Sequence, residues 1–186
     1  MRLLVATAVE AEAVAVRAGI SPDAPIDVLV AGVGPAAAAA GVARAVALAE
    51  PGGRPYGSVV CAGIAGGFPG RAALGATVLA TASVDAHLGA EGPDGFIPLD
   101  ALGFGTAVVP ADPGLLATLR QVLPRAVLGV VLTVSTATGT AETASRLAVD
   151  HPDAVAEGME GYGVGRAAAL AGLPFVELRT ISNAVG

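Results

Sequence analysis

The feature that most constrains this chain is a recurrence near its start, in which an aliphatic run gives way to glycine or a short break and then to helix-forming residues. Residues 3–6 suit a buried strand, and residues 10–17 have helix-forming composition closed by Gly19. Residues 26–30 repeat the strand signature, Gly32 and Gly34 punctuate a turn, and Pro35 opens an alanine-rich helix reaching about Leu48. A third run, 58–62, leads into Gly63-Ile64-Ala65-Gly66-Gly67, which predicts another glycine turn followed by a helix. Strands joined through helices pair in parallel and gather ligand-binding loops at their carboxyl ends. The prediction is therefore an α/β domain, a three-layer αβα sandwich with a central mixed, largely parallel sheet. Composition agrees: apolar residues make up 54% of the chain and aromatics only 3%, so Val, Leu, Ile and Ala must fill the core.

Farther along, residues 76–83 read as a strand, 86–96 as a mobile Gly- and Asp-containing loop, and 106–109 as a further apolar stretch. A helix over 114–122 precedes a strand over 127–134. The polar loop Ser135-Thr136-Ala137-Thr138-Gly139 then leads to a helix whose start carries Thr140, Glu142 and Thr143. A short strand over 155–157, a helix over 160–171 ending at Gly172, and a last strand over 175–181 complete the pattern. With no internal repeat or linker, residues 1–186 predict one domain.

Charge and cysteine content exclude several function classes. All ten basic residues are arginine, and sixteen acids outnumber them to give a net charge of −6. An acidic surface without basic, aromatic-rich clusters does not suit nucleic acid or an anionic membrane. No apolar run reaches about 18 residues uninterrupted, and the first residues read as a strand rather than a cleaved signal, so a cytoplasmic protein is expected. Cys61 is the single cysteine and the two histidines are scattered, which argues against disulfide, redox and zinc chemistry. No metal or organic cofactor is expected.

Three segments carry the chemistry. Met159-Glu160 falls between a strand and a helix, where a carboxylate accepts from paired sugar hydroxyls. Arg179 to Asn183 ends the last strand, the usual place for ligand contacts in an open α/β sheet. Glu12 lies just beyond the first strand, placed to hold and deprotonate a water. Taken singly, each has an ordinary explanation. Glu12 and Glu160 suit helix starts, and Ser182-Asn183 suits a cap.

Their order and spacing, with Gly63 to Gly67 and Glu10-Ala11-Glu12, resemble the nucleoside phosphorylase/nucleosidase superfamily over essentially the whole chain. Ser135 to Glu142, Met159 to Val164 and Ile181 to Gly186 are similar to the futalosine hydrolases within it. The resemblance implies cleavage of a purine N-glycosidic bond, with futalosine as the small-molecule substrate and a homodimer or higher homo-oligomer as the assembly. It implies that Glu12 orients the water, that Met159 and Glu160 hold the ribose, and that Arg179 with Ser182 shapes the base-side wall. Ala65 and Gly66 would line the pocket through their backbone, and Asn183 would meet the purine. Adenosine-type relatives carry aspartate at the position of Asn183. An amide donates to a 6-oxo group and accepts from a protonated N7, which favours hypoxanthine over adenine.

Two departures matter. The turn Ala31-Gly32-Val33-Gly34-Pro35 has no adjacent arginine, and Arg44 lies far along the helix, so water is a better acceptor than phosphate. The loop 135–139 has no aromatic, leaving Phe175 or a neighbouring subunit to stack on the base. The family also continues into a terminal helix beyond the position of Gly186, so the domain is expected to lack that helix. The competing readings are a methylthioadenosine/S-adenosylhomocysteine-type nucleosidase, a purine nucleoside phosphorylase, and a catalytically silent nucleoside-binding domain.

Overall fold

The computed structural model describes residues 2–93 and 95–186. Asp94, within the loop predicted over 86–96, lies outside them. The chain runs β1 (Arg2–Thr7), α1 (Glu10–Ala18), β2 (Ile26–Val30), α2 (Pro35–Ala49), β3 (Tyr56–Gly67) and β4 (Thr77–Asp85). It continues through β5 (Gly89–Gly92), β6 (Gly95–Pro98), α3 (Leu99–Leu102), β7 (Val108–Pro110), α4 (Pro113–Val122) and β8 (Val127–Thr133). It ends with α5 (Ala141–Asp150), β9 (Ala154–Gly158), α6 (Gly161–Leu170) and β10 (Phe175–Ala184).

Sequence chemistry explains the helix starts. Pro35 and Pro113 occupy the first helical positions, where a missing N–H costs nothing. Asp112 caps α4 by accepting from Leu115 N–H, and Thr140 caps α5 by accepting from Thr143 N–H.

The mixed sheet has strand order β10-β4-β8-β9-β3-β1-β2, with β7 on β4. An additional β10–β3 pairing bends the first five of these strands into a closed ring. Parallel pairs join β1 to β2 and β3, β3 to β10, and β8 to β4 and β9. The antiparallel pairs are β10–β4, β3–β9 and β4–β7. Small and branched side chains of these ring strands, Ala65, Val78, Ala80, Val131, Ala156 and Ile181, form one core cluster with Ala72 of the β3–β4 connection. A second core packs α2 and α6 on β1 and β3, and a third packs α5 against Phe68, Leu132 and Val185.

Three readings of the sequence change. The segment Gly63–Gly67 is not a turn leading to a helix: β3 runs straight through it for 12 residues, and the next regular element is β4. The loop predicted over 86–96 holds β5 and the start of β6, which pair with each other. The last strand extends past Ile181 to Ala184, so Ser182 and Asn183 are strand residues rather than a cap.

Candidate active site

Where β3 changes neighbours, a cleft of about 300 Å³ opens at the strands' carboxyl ends. Glu12, Ala65, Gly66, Met159, Glu160, Ser182 and Asn183 all line it. Segments from both ends and the middle of the chain therefore meet in one cavity. A groove of about 630 Å³ beside β2 is larger, but its charged groups are already paired, Arg17 with Glu10 and Asp27 with Arg2 and Tyr56. That leaves the groove little to offer a reaction.

Glu12 is fixed by three backbone donors. Its Oε2 accepts from Ala8 N–H at 2.8 Å and Val9 N–H at 3.3 Å, and its Oε1 accepts from Ile64 N–H at 2.9 Å. The first two bonds tie the carboxylate back to the helix start, so the cap and the site function coincide in one side chain. The third crosses to β3, and glycine makes it possible. A Cβ on Gly63 would sit 2.5 Å from Glu12 Oε1 and 2.9 Å from Arg179 Nη1.

Glu160 caps α6 by position and is 5% exposed. Its Oε1 accepts from Gly34 N–H at 3.2 Å, while its Oε2 accepts from Met159 N–H at 3.3 Å and Arg179 Nη2 at 3.2 Å. Gly34 delivers that amide from the β2–α2 turn with φ of 89°, a conformation that disfavours side chains. The turn that sequence analysis weighed as an anion cradle thus donates to the protein's own carboxylate.

Arg179 departs from its expected place. It does not form the base-side wall but lies 1% exposed behind the cleft, held by Glu177 Oε1 at 2.8 Å, Glu160 and the Ile64 carbonyl at 3.1 Å. A guanidinium with five donors finds its acceptors there, among two carboxylates and a strand carbonyl. Burial alone would lower its pKa, but the carboxylates of Glu177 and Glu160 beside it hold it above its ordinary value. Burial also pushes the Cys61 thiol up, so Cys61 stays neutral and the carboxylates are the working counter-ions. Arg179 therefore positions Glu160 rather than touching a ligand. Ser83 Oγ closes the chain by donating to Glu177 Oε2.

The opposite wall owes its shape to an irregularity. Between Ile181 and Asn183 the register with β3 slips by one residue, so Asn183 pairs with Gly66. Such a bulge re-aims side chains, and both Ser182 and Asn183 line the cleft. Ser182 Oγ donates to Asn183 Oδ1 at 2.9 Å, and Asn183 Nδ2 donates to the Ala184 carbonyl at 2.8 Å, which orients the amide.

One further acid, not among the residues expected from the sequence, lies in the cleft. Glu157, 5% exposed on β9, lines the cleft and accepts from Thr138 N–H at 2.8 Å and Thr138 Oγ at 2.7 Å. A glutamate in a short strand beside a polar loop was the available signal. Phe175 is not a stacking partner, because it is buried in the α2–α6 core at the far end of β10. Val9, Val33, Ile64, Val134 and Met159 supply the apolar surface instead.

The arrangement has a definite electrostatic character. Three carboxylates and an amide face the cleft, and among the described residues lining it none is basic. Such a site favours positive charge that develops during reaction and disfavours an incoming anion. Arg44, more than two turns along α2 from the β2–α2 turn, is exposed.

Known proteins share this framework. The chain is 48% identical to futalosine hydrolase of Streptomyces coelicolor, an alignment covering 100% of this chain and 85% of that protein. It is 46% identical to futalosine hydrolase of Acidothermus cellulolyticus, covering 100% and 81%. Among solved structures, a futalosine hydrolase mutant of Helicobacter pylori superposes with a TM-score of 0.78 at 19% identity, covering 98% of this chain and 89% of that one. A 5′-methylthioadenosine/S-adenosylhomocysteine nucleosidase of Colwellia psychrerythraea in complex with adenine superposes at 0.83 and 20% identity, covering 100% and 84%. The family model described as the phosphorylase superfamily matches residues 4–186, and with the fold and the cleft in agreement the chain belongs to that superfamily.

Proposed function

We propose that this protein hydrolyses the N-glycosidic bond of futalosine, releasing hypoxanthine and dehypoxanthine futalosine in menaquinone biosynthesis. The observation that carries the reading is the meeting of Glu12, Glu160 and Asn183 around one cleft whose described lining has no cation. The whole-chain similarity to futalosine hydrolases supports it.

Bond breaking at C1′ leaves a ribosyl cation and puts an electron pair on the purine. Glu160 accepts from the ribose hydroxyls and, with Glu12, stabilises the cation. Water bound to Glu12 attacks C1′, and the carboxylate takes its proton as the new C–O bond forms. An amide has no proton to give, so N7 gains its proton from solvent. Asn183 Oδ1 then accepts from N7–H while Nδ2 donates to O6, and the base leaves neutral. No step calls for a metal or an organic cofactor.

The assembly belongs to the same proposal. Val9, Val33 and Ile64 line the cleft yet are 41%, 53% and 57% exposed, an apolar rim suited to cover by a second copy. A homodimer or higher homo-oligomer in the cytoplasm is the assembly and location that go with this reading; no helix of the described chain is long and apolar enough to cross a membrane.

Incubation with futalosine, inosine and methylthioadenosine, each with and without phosphate, tests the assignment. Phosphate-independent hypoxanthine release that is fastest from futalosine is expected. Faster cleavage of inosine only with phosphate, or preference for methylthioadenosine, overturns it. Binding of futalosine without purine release would show a silent binding domain instead.

A further inference from the structure

Glu157 is a buried acid that the mechanism above does not use. Gly66 of β3 pairs directly with Glu157 of β9 on one side and with Asn183 of β10 on the other. Directly paired residues project to the same face of a sheet. The central member has no side chain, and a Cβ there would sit 3.0 Å from Val185 Cγ2, 3.3 Å from Asn183 Nδ2 and 3.5 Å from Glu157 Cγ. The ladder therefore presents a carboxylate and an amide across a glycine gap, and all three residues line the cleft.

The two groups are chemically complementary to one edge of one kind of base. A 6-oxopurine offers O6 as acceptor and N1–H as donor side by side, whereas a 6-aminopurine offers a donor at position 6 and a lone pair at N1. The Thr138 bonds use one acceptor site on each Glu157 oxygen, and a carboxylate has about four. Acceptor capacity therefore remains for the cleft.

We propose that Glu157 is a specificity-determining residue that accepts from N1–H of a 6-oxopurine held against Asn183, and that rejects a 6-aminopurine through repulsion with its N1 lone pair. The inference rests on the hydrolase reading for the identity of the base, but its test does not depend on turnover. Binding of free hypoxanthine and free adenine is measured by calorimetry for the wild-type protein, Glu157→Gln and Thr138→Val. In Glu157→Gln the amide oxygen still accepts from Thr138 N–H and the amide nitrogen can donate to Thr138 Oγ, so the loop stays anchored. Its remaining N–H now faces the base.

The expected result is that Glu157→Gln weakens hypoxanthine at least about tenfold and strengthens adenine, the scale of one lost charged hydrogen bond. Thr138→Val is expected to change both bases by the same factor. Equal weakening of both bases in Glu157→Gln, or no change in either, overturns the proposal and leaves Glu157 as a loop anchor. In the wild-type protein, 1-methylhypoxanthine, which lacks the N1 donor, is expected to bind at least tenfold more weakly than hypoxanthine. Equal binding of the two overturns the proposal even if a variant does not fold. A protein that shows these base preferences yet hydrolyses no nucleoside would refute the hydrolase reading and keep the pairing. Futalosine hydrolysis with no effect of Glu157→Gln on base choice would do the reverse.

Discussion

Replacing Gly63 with alanine tests the proposed role of Glu12 as the base that holds the attacking water, without touching Glu12 itself. The added methyl would lie 2.5 Å from Glu12 Oε1, against the roughly 3.5 Å at which carbon and oxygen rest without repulsion. The carboxylate must retreat by about 1 Å. That movement takes Oε1, now 2.9 Å from Ile64 N, beyond hydrogen-bond reach. The methyl cannot relieve the clash by shifting away from Glu12, because it would also lie 2.9 Å from Arg179 Nη1, which is buried and held by Glu177 and Glu160. A misplacement of about 1 Å at a reacting group costs on the order of 100-fold in rate, close to 2.7 kcal/mol of barrier. Steady-state hypoxanthine release from futalosine reads this as a fall in kcat, with thermal melting as the control for folding. Because both changes act on one group, Gly63→Ala combined with Glu12→Gln is expected to be scarcely worse than Glu12→Gln alone. A folded Gly63→Ala protein with kcat within about threefold of wild type would refute the claim that the Ile64 bond sets the position of the water-activating carboxylate.

Four further outcomes are expected. Glu160→Gln removes a charged acceptor for the ribose hydroxyls and should lower kcat/KM by roughly 10²-fold or more, with a much smaller effect on a 2′-deoxynucleoside; equal losses on both sugars would count against a ribose role. Asn183→Asp should raise adenine release relative to hypoxanthine by at least about tenfold in competing-substrate assays, and an unchanged ratio would remove the amide from base choice. Gly163→Ala drives a methyl into the Pro35 carbonyl where α2 and α6 meet, so it should destabilise the fold by about 1–3 kcal/mol in urea titration, and an unchanged midpoint would contradict the packing. Burial holds His151 below its ordinary 6.5, with His87 reinforcing and Asp150 opposing the shift, so the unfolded chain takes up a proton that the folded chain resists. Stability from this group is present above about pH 6.5 and lost as pH falls through the folded pKa, and His151→Gln should flatten that slope in melts between pH 7.5 and 5.

Most of the order of elements, outside Gly63–Gly67 and the β5–β6 pair, and three of the proposed site's anchors were legible in the sequence because those signals are local. Aliphatic runs, Pro35, Pro113, Asp112 and Thr140 declare strands and helix starts by their own chemistry, and Glu12, Glu160 and Asn183 each follow or end such an element. Features created by neighbours distant in the chain were hidden. Gly63 and Gly66 read as turn punctuation because glycine's commonest use is conformational, whereas here a strand needs the missing side chains to admit Glu12, Arg179 and Asn183. The direction of Arg179 follows from Glu177, two residues away on the same face of β10, but only burial of both reveals a pair rather than a ligand contact. Glu157 carries no mark in the sequence of facing a cavity, and the slip at Ser182 depends on register with β3.

The bond from Gly34 N–H to Glu160 constrains how this scaffold could change its chemistry. A phosphorylase descended from it would have to free that backbone donor for an oxyanion, supply a counter-ion beside it, and still keep a sugar-holding acid in place. No single substitution accomplishes all three, and loss of the Gly34 bond alone removes one of the two backbone donors that hold Glu160. Exchange of one co-substrate for another therefore takes several coordinated changes in this scaffold, whereas a change of base preference can begin at the side chain of Asn183 alone.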